Sequence, residues 1–450
     1  MKKLNDILKK MIFIVMLIFI SILIFVSTFE NGVLLSILSV VIIYLFVDKV
    51  KIKNFVLFLV IFSFITKLIA VIVLKIPLRG DYYLMYHASK SVLKGDLSFT
   101  TDPYFGVFGY QLFNVFYQAL ILKIFKFSFV LKILNCIYST IITVLIYKIS
   151  RKISNEKAAK ISSLIYTVTL YPIYLNTIFG NQQLSLMLIL LGVYFILEKD
   201  NNIKYLLLGG LLIALGHLER AEGIIYIMTL AVYFFVTSKK ILPFIKKIVP
   251  IVLVYFVVTI SASTLIIKTN INKIGFKNAN PYWKVLCGLS YEHSGKFNYD
   301  DETNYIHDKD LEIKEIKNRL TDFKTLPGLF YRKIKVQYLY DDIDQTFQVN
   351  NTKQFGGIIL NVILNYIRVI NILTILFVMY GQIKKRKEKR DKWELFIIIN
   401  FLLYFVAYLL IEVNARYYYN IQVDMVILSS IGIGYLIKLI DNNKKIAIKL

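Results

Sequence analysis

Long apolar runs dominate this chain, and most of them are close to the ~20 residues that a helix needs to cross a bilayer. Hydrophobic residues make up 57% of the 450 residues, and the mean hydropathy is +0.62. A soluble protein of this size is less apolar, so the sequence predicts an all-α, polytopic membrane protein. The candidate runs are 11–29, 32–47, 54–74, 105–125, 127–149, 158–179, 183–198, 205–217, 223–237, 248–268, 358–380, 393–411 and 419–439.

The first run, 11–29, follows a basic stretch and resembles a signal peptide in this respect. It has no small-residue cleavage site, and further apolar runs follow at once. We therefore expect a membrane anchor rather than a removed leader.

The formal net charge of +25 does not indicate nucleic-acid binding, because the basic residues cluster in short loops between the runs. This is the positive-inside pattern of membrane proteins. The stretch 269–357 is nearly neutral, with 13 Lys and Arg against 12 Asp and Glu. The basic loops are 48–53, 151–157, 239–247, 384–392 and 442–449.

The basic loops also fix a topology. If all thirteen runs cross the membrane, three basic loops face outward. If 105–125 does not cross, every basic loop and both termini face the cytoplasm. We therefore expect about twelve spans (11–13) in the cytoplasmic membrane, with the aromatic-rich 105–125 lying at the outer interface or re-entering.

Residues 205–237 are too long for one span, since a single helix would extend ~50 Å at ~1.5 Å per residue. A hairpin of two short helices with its turn at 217–223 also keeps the loop 239–247 inside. We divide the chain into N-terminal spans (1–53), a transmembrane catalytic core (54–268), an extracytoplasmic region (269–357, the long loop) and C-terminal spans (358–450). The core contains the first outer loop (75–126, the first loop).

Asp81 lies where an apolar run meets the first loop, in Arg79-Gly80-Asp81-Tyr82-Tyr83. The alternative to a functional acid is an ordinary residue of a solvated loop. That alternative suits Asp96 and Asp102, which sit in turn sequences, better than an acid at the mouth of a span. We therefore predict that Asp81 is a functional residue.

The turn of the hairpin contains three charges, Glu219, Arg220 and Glu222. Ionisable groups near the membrane are costly and usually face a cavity or a partner. Either Glu219 and Arg220 neutralise each other, or Arg220 binds an anionic headgroup, since a guanidinium matches phosphate oxygens in a two-pronged way.

A third constellation precedes the last run. Glu412 and Arg416 are four residues apart, so on a helix they share a face and can pair. One reading is a salt bridge with an interfacial aromatic belt. In the other, Arg416 is a second phosphate ligand oriented by Glu412, with Tyr417 and its neighbours against a sugar or an isoprenoid tail.

Several familiar signatures are absent from the sequence, among them a phosphate-binding Walker A loop, His-Glu-x-x-His and Gly-x-Ser-x-Gly. No cofactor is required by the sequence. A divalent metal held by Asp81 stays open as an alternative.

Three segments, 81–95, 218–223 and 412–417, together resemble bacterial membrane glycosyltransferases of the GT-C fold. The nearest group is that of the protein O-mannosyltransferases and the aminoarabinose lipid A transferases. The resemblance covers about 54–240 and 390–440. It implies a GT-C helical bundle with interfacial helices in the first loop.

The resemblance also implies roles for residues. Asp81 matches the catalytic acid of the first loop, and Arg220 and Arg416 match the residues that hold the phosphate of a polyprenyl-phosphate sugar donor. Two positions depart from the pattern. Asn181 begins Asn181-Gln182-Gln183 where many relatives carry an acid, and Ala221 replaces a proline.

The chemistry that the resemblance implies needs few catalytic groups. A sugar phosphoryl lipid has a good leaving group, so an inverting displacement needs mainly one base and cations for the departing phosphate. We expect a hexosyl- or pentosyltransferase that acts on a cell-envelope glycan, lipid or protein. The alternatives are a surface-polysaccharide polymerase or ligase, with essential basic residues in the long loop, and a non-enzymatic flippase or transporter.

Overall fold

The computed structural model describes residues 30–74, 76–238, 240–305, 308–338 and 357–449. Within them the regular structure is helical, and only Phe108 and Asn278 form an isolated β-bridge. The predicted span 11–29 lies outside the described residues. The α-helices are α1 (Glu30–Lys49), α2 (Phe55–Val73), α3 (Gly80–Leu93), α4 (Pro103–Val107), α5 (Leu112–Phe125), α6 (Phe129–Ile153), α7 (Glu156–Val168), α8 (Leu170–Leu175), α9 (Gln182–Glu198), α10 (Ile203–Glu219), α11 (Gly223–Thr237), α12 (Ile241–Lys268), α13 (Trp283–Gly288), α14 (Tyr299–Tyr305), α15 (Lys309–Thr321), α16 (Leu326–Tyr338), α17 (Gly357–Lys384), α18 (Lys392–Leu410) and α19 (Tyr419–Lys449).

Seven helices of the described part are long and apolar enough to cross a membrane, namely α1, α2, α6, α12, α17, α18 and α19. The helices α9 and α11 are apolar but shorter, with 17 and 15 residues. The all-α class and the membrane-protein class are therefore confirmed. The count of twelve crossings and the cytoplasmic termini stay predictions.

Polar residues in the short loops determine where several helices begin. Asn54 accepts a hydrogen bond from the backbone of Leu57 (3.1 Å) at the start of α2, and Asn155 accepts one from Ala158 (2.8 Å) at the start of α7. A side-chain oxygen at this position satisfies a backbone donor that the helix leaves unpaired. The sequence therefore sets these helix boundaries locally.

The predicted run 158–179 is not one continuous helix. It breaks after Val168, and the short α8, which contains Pro172, follows before an irregular segment that leads into α9. The carbonyls of that segment receive side-chain amides: Asn135 donates to Ile178 (3.1 Å) and Gln118 to Phe179 (3.3 Å). Buried backbone groups outside a regular helix need such partners, because they have no access to water.

The run 105–125 forms the short helices α4 and α5, separated by a turn of 3₁₀-helix at Gly109–Gln111. With 14 residues, α5 extends about 21 Å at ~1.5 Å per residue, less than the ~30 Å of a hydrocarbon core. This length agrees with the expectation that 105–125 does not cross as a single span. The stretch 205–237 has the expected break as well, because α10 ends at Glu219 and α11 begins at Gly223.

The first loop and the long loop are joined by backbone hydrogen bonds. Tyr110 donates to the carbonyl of Lys277 (3.2 Å), and Ala279 donates to that of Val107 (2.8 Å). The side chain of Asn272 adds a bond to the carbonyl of Thr100 (2.8 Å). The two loops therefore form one layer over the end of the helical bundle, and this layer carries the candidate site.

Candidate active site

Asp81 and Arg416 form an ion pair between two distant parts of the chain. Asp81 lies in the first turn of α3, where the helix dipole favours an acid. Arg416 lies in a 3₁₀-turn at Ala415–Tyr418, which begins with Asn414 accepting a hydrogen bond from the Arg416 backbone (3.1 Å). Nη2 of Arg416 donates to Oδ2 of Asp81 at 3.0 Å, and the two side chains are 20% and 31% exposed. The pair is thus accessible to a ligand.

The alternative in which Arg416 pairs with Glu412 is not observed. The helix α18 ends at Leu410, and Glu412 lies in an extended segment whose backbone N–H bonds to the carbonyl of Lys284 (2.6 Å). Glu412 and Arg416 therefore do not share a helical face, and the spacing rule that predicted their contact does not apply. The ion-pair partner of Arg416 is Asp81 instead.

The structure decides between the two alternatives for the charged residues of the hairpin turn. Arg220 directly follows α10 and has extended backbone angles (φ −153°, ψ 127°). It therefore does not continue the helix. Its Nε donates to Glu222, whereas the buried Glu219 accepts a hydrogen bond from Asn114 on α5. Glu219 therefore does not neutralise Arg220. The ion-pair partner of Arg220 is Glu222 instead.

Arg220 is held by a second contact. Asn181 accepts a hydrogen bond from Nη1 of Arg220 (3.4 Å) and donates to the carbonyl of Glu219 (2.9 Å). The amide of Gln182 bonds to the hydroxyl of Tyr82. These polar residues support the arginine and the neighbouring aromatic ring.

Tyr417 is the centre of the site. Three cations approach its ring: Arg220 at 5.4 Å, Arg416 at 5.5 Å and Lys284 at 5.1 Å from the ring centroid. The ring of Tyr408 stacks on that of Tyr417, with 5.7 Å between the ring centroids. The predicted residues Asp81, Arg220, Glu222, Arg416 and Tyr417 therefore come together, whereas Glu219 faces away.

Sequence reasoning missed Lys284, which α13 of the long loop contributes. The near-neutral charge of that loop concealed it. A usable signal was the aromatic stretch Tyr282-Trp283 directly before the lysine, in a loop that is otherwise mostly polar. Apolar anchors next to a cation are what docks a loop against a buried site.

Two tyrosines of the first loop complete the surroundings of Asp81. Burial, and then the charge of the Asp81 carboxylate, raise the pKa of Tyr104 well above its ordinary value. Burial also raises the pKa of Tyr110. Both phenols therefore keep their protons at neutral pH and are hydrogen-bond donors.

The surroundings of Asp81 do not match a divalent-cation site, which needs several oxygen ligands. Its carboxylate has a guanidinium as partner. No group of three or more His, Cys, Asp or Glu side chains in the described ranges is placed to share an ion.

The bundle and its loop layer have the GT-C fold. The Archaeoglobus fulgidus oligosaccharyltransferase, solved with an acceptor peptide tethered by a disulfide bond, is 12% identical to this chain, with a TM-score of 0.51 over 86% of this chain and 50% of that one. Its apo form gives the same identity and TM-score over 88% and 52%. This chain thus spans about half the length of these structures, and the likeness shows the fold.

Residues 112–267 match the family model described as dolichyl-phosphate-mannose-protein mannosyltransferase. This range contains Arg220 and Glu222, while Asp81 and Arg416 lie outside it. No curated protein sequence matches the chain. The matched family and the solved structures are both GT-C glycosyltransferases, so the fold expected from the sequence is confirmed.

Proposed function

We propose that this protein is a membrane glycosyltransferase that moves a sugar from a polyprenyl-phosphate-linked donor to a hydroxyl of a cell-envelope acceptor. The observation that carries the proposal is the meeting of Asp81 with Arg416, next to Arg220, around the ring of Tyr417. A base and cations within one accessible cluster are what this displacement needs. The family model matched by 112–267, whose description contains a lipid-phosphate sugar, supports the donor class.

Arg416 can serve Asp81 and a phosphate at the same time. A guanidinium has five N–H donors, and Asp81 engages one nitrogen, Nη2. The Nε of Arg416 is buried and has no partner among the described residues. A buried donor without an acceptor is unfavourable, and a phosphate oxygen that reaches this nitrogen would satisfy it with a charge-assisted hydrogen bond.

In the proposed reaction Asp81 accepts the proton of the acceptor hydroxyl as its oxygen attacks the anomeric carbon of the sugar. The bond between that carbon and the phosphate oxygen breaks, and the electron pair stays on the phosphate. Arg220 and Arg416 stabilise this negative charge. The products are the glycosylated acceptor, polyprenyl phosphate and a protonated Asp81, and a single displacement inverts the anomeric configuration.

The charge pattern of the loops supports the outer face of the cytoplasmic membrane as the place of the reaction, and a cell-envelope acceptor is what the protein would meet on that face. The decisive experiment is the sugar composition of surface glycans in a strain that lacks the gene. A sugar that disappears from one polymer, lipid or protein, and returns with the wild-type gene but not with Asp81→Asn, supports the proposal. Unchanged surface glycans in the deletion strain would contradict it.

A surface-polysaccharide polymerase or ligase is a second candidate, because it requires a basic residue of the long loop at the site, and Lys284 is such a residue. The size of the transferred unit separates the two. Transfer of one sugar per released polyprenyl phosphate indicates the first function, and transfer of a preassembled oligosaccharide indicates the second. Movement of the lipid across liposomes without covalent transfer would instead indicate a transporter.

A further inference from the structure

Lys284 differs from the two arginines around Tyr417 in its electrostatic surroundings. Arg220 has Glu222 and Arg416 has Asp81 as ion-pair partners. Within the ranges that the structure describes, no carboxylate lies within 4.0 Å of the Lys284 ammonium, whose hydrogen bond is to the hydroxyl of Tyr417 (3.5 Å). Three cations around one ring, of which one has no direct counter-ion, make a site that is incomplete without an anion.

The pKa of the Lys284 ammonium is raised. Burial opposes the charge, but the interactions with its surroundings, among them that with the Glu412 carboxylate, outweigh burial and raise the pKa of Lys284 above its ordinary value. An ammonium of this kind binds phosphate as a point charge.

A second lysine, Lys333 on α16, fixes the position of the helix that carries Lys284. Its side chain is 1% exposed, and its ammonium donates to three carbonyls: Gly288 (2.7 Å), Leu409 (2.8 Å) and Ile411 (2.9 Å). Gly288 ends α13, and Leu409 and Ile411 lie at the end of α18. Cations at helix C-termini satisfy carbonyls that the helix leaves unpaired. Lys333 therefore ties α13 to the end of α18.

The contact between α13 and the segment before Arg416 is too close for any side chain at position 288. A Cβ atom on Gly288 would lie 2.3 Å from the backbone carbon of Ile411 and 2.6 Å from the nitrogen of Glu412. The backbone of Val413 also donates to the carbonyl of Gly295 (2.8 Å). This docking places Lys284 and Arg416 on the same ring.

We propose that Lys284 is a third ligand for the donor phosphate, supplied by the long loop, and that Lys333 is a positioning residue that holds Lys284 over Tyr417. The inference rests on the proposed function, because it specifies the phosphate subsite of that same site. It means that the long loop is a structural part of the donor site. The phosphate then meets two guanidinium groups from the helical bundle and one ammonium from the loop layer.

The test measures binding of sugar-free polyprenyl phosphate, the leaving group, to the purified full-length protein in detergent. Lys284→Met should weaken binding roughly 10- to 100-fold, the range for losing a charge-assisted hydrogen bond, and Lys284→Arg should restore most of it. Lys314→Met is the matched control, since Lys314 is an exposed lysine of the same loop on α15, and it should leave affinity unchanged. Wild-type affinity in Lys284→Met would overturn the ligand assignment.

Lys333 is tested by coupling. Lys333→Gln, which keeps an amide donor for one carbonyl, and Lys333→Met should raise the KM for a polyprenyl-phosphate sugar more than they lower kcat. Combined with Lys284→Met, either change should add little, because both act through one contact. Additive losses of affinity would refute the positioning role, and the milder glutamine variant keeps the test open if the methionine variant fails to fold.

The failure of this inference and the failure of the proposed function are distinguishable. If sugar transfer depends on Asp81 but polyprenyl phosphate binding does not depend on Lys284, only the role of Lys284 as a third ligand is refuted. If binding depends on Lys284 but the protein transfers no sugar, only the proposed reaction is refuted.

Discussion

Replacing Asp81 by Asn removes the proposed base while preserving the shape of the side chain. General-base catalysis contributes about 10²- to 10⁴-fold in rate, or about 2.7–5.4 kcal/mol at ~1.36 kcal/mol per tenfold. The cost in stability is smaller. The side chains of Asp81 and Arg416 are half-buried, with 31% and 20% exposed, and the amide oxygen of Asn can still accept a hydrogen bond from Arg416. The loss of the carboxylate charge therefore costs about 1–3 kcal/mol. Turnover should therefore fall at least about 100-fold in a protein that still folds.

Donor binding should respond in the opposite way. Without the carboxylate of Asp81, Arg416 loses its counter-ion and keeps its charge for the phosphate. Affinity for polyprenyl phosphate should therefore be equal to or higher than that of the wild type, while the release of polyprenyl phosphate from a polyprenyl-phosphate sugar almost stops. The assay uses protein reconstituted in liposomes, with an envelope fraction as the acceptor and thermal unfolding as the check on folding.

Asp102→Asn is the matched control, because Asp102 is an exposed acid of the same first loop whose side chain caps no helix. Its turnover should equal that of the wild type. Wild-type turnover in Asp81→Asn would refute the assignment of the base. A parallel loss of turnover and of lipid-phosphate affinity would show that Asp81 acts in binding.

Three further outcomes test the site. Arg416→Ala should weaken polyprenyl phosphate binding roughly 10- to 100-fold, because charge-assisted hydrogen bonds are lost. The control Arg151→Ala, at an exposed arginine, should leave the affinity unchanged. Equal affinities of the Arg416→Ala variant and the wild type would show that Arg416 does not bind the phosphate. Glu219→Ala should lower the free energy of unfolding by about 1–3 kcal/mol, since it leaves the buried amide of Asn114 without its acceptor. The affinity for polyprenyl phosphate should stay constant. A change in that affinity without a change in stability would show that Glu219 contacts the ligand. The pKa of Lys284 is raised, so its ammonium stays charged as the pH rises. The affinity for polyprenyl phosphate should therefore not fall between about pH 7 and 9. A loss of affinity over this range that is absent from the Lys284→Arg variant would contradict the raised pKa.

Periodicity and charge were sufficient to predict the fold class and most helix positions. The break between Glu219 and Gly223 could be predicted because one span of that length exceeds the membrane thickness. The break after Val168 was missed, because the run 158–179 is apolar enough for one span. What stabilises its irregular end is a set of distant amides such as Asn135 and Gln118, which no local pattern reveals.

The sequence singles out the residues of the candidate site more readily than their contacts. It points to Asp81, Arg220 and Arg416 by type and place, and the structure brings them together. The pairing of Arg416 with Glu412, which a four-residue spacing offered as one alternative, is not observed. That rule holds on a helix, and the extended backbone at Glu412 invalidates it here. Lys284 was missed for the same physical reason: its relation to Tyr417 depends on how α13 docks, which is a long-range property of the chain.

The distance in sequence between the two members of the central ion pair has a consequence for biosynthesis. Asp81 and Arg416 are 335 residues apart, and Arg416 directly precedes the last helix, α19. A nascent chain that has inserted all its earlier helices therefore still lacks half of the pair. The proposed site can therefore be assembled only after the segment that carries Arg416 has been made, however early the segment that carries Asp81 has folded.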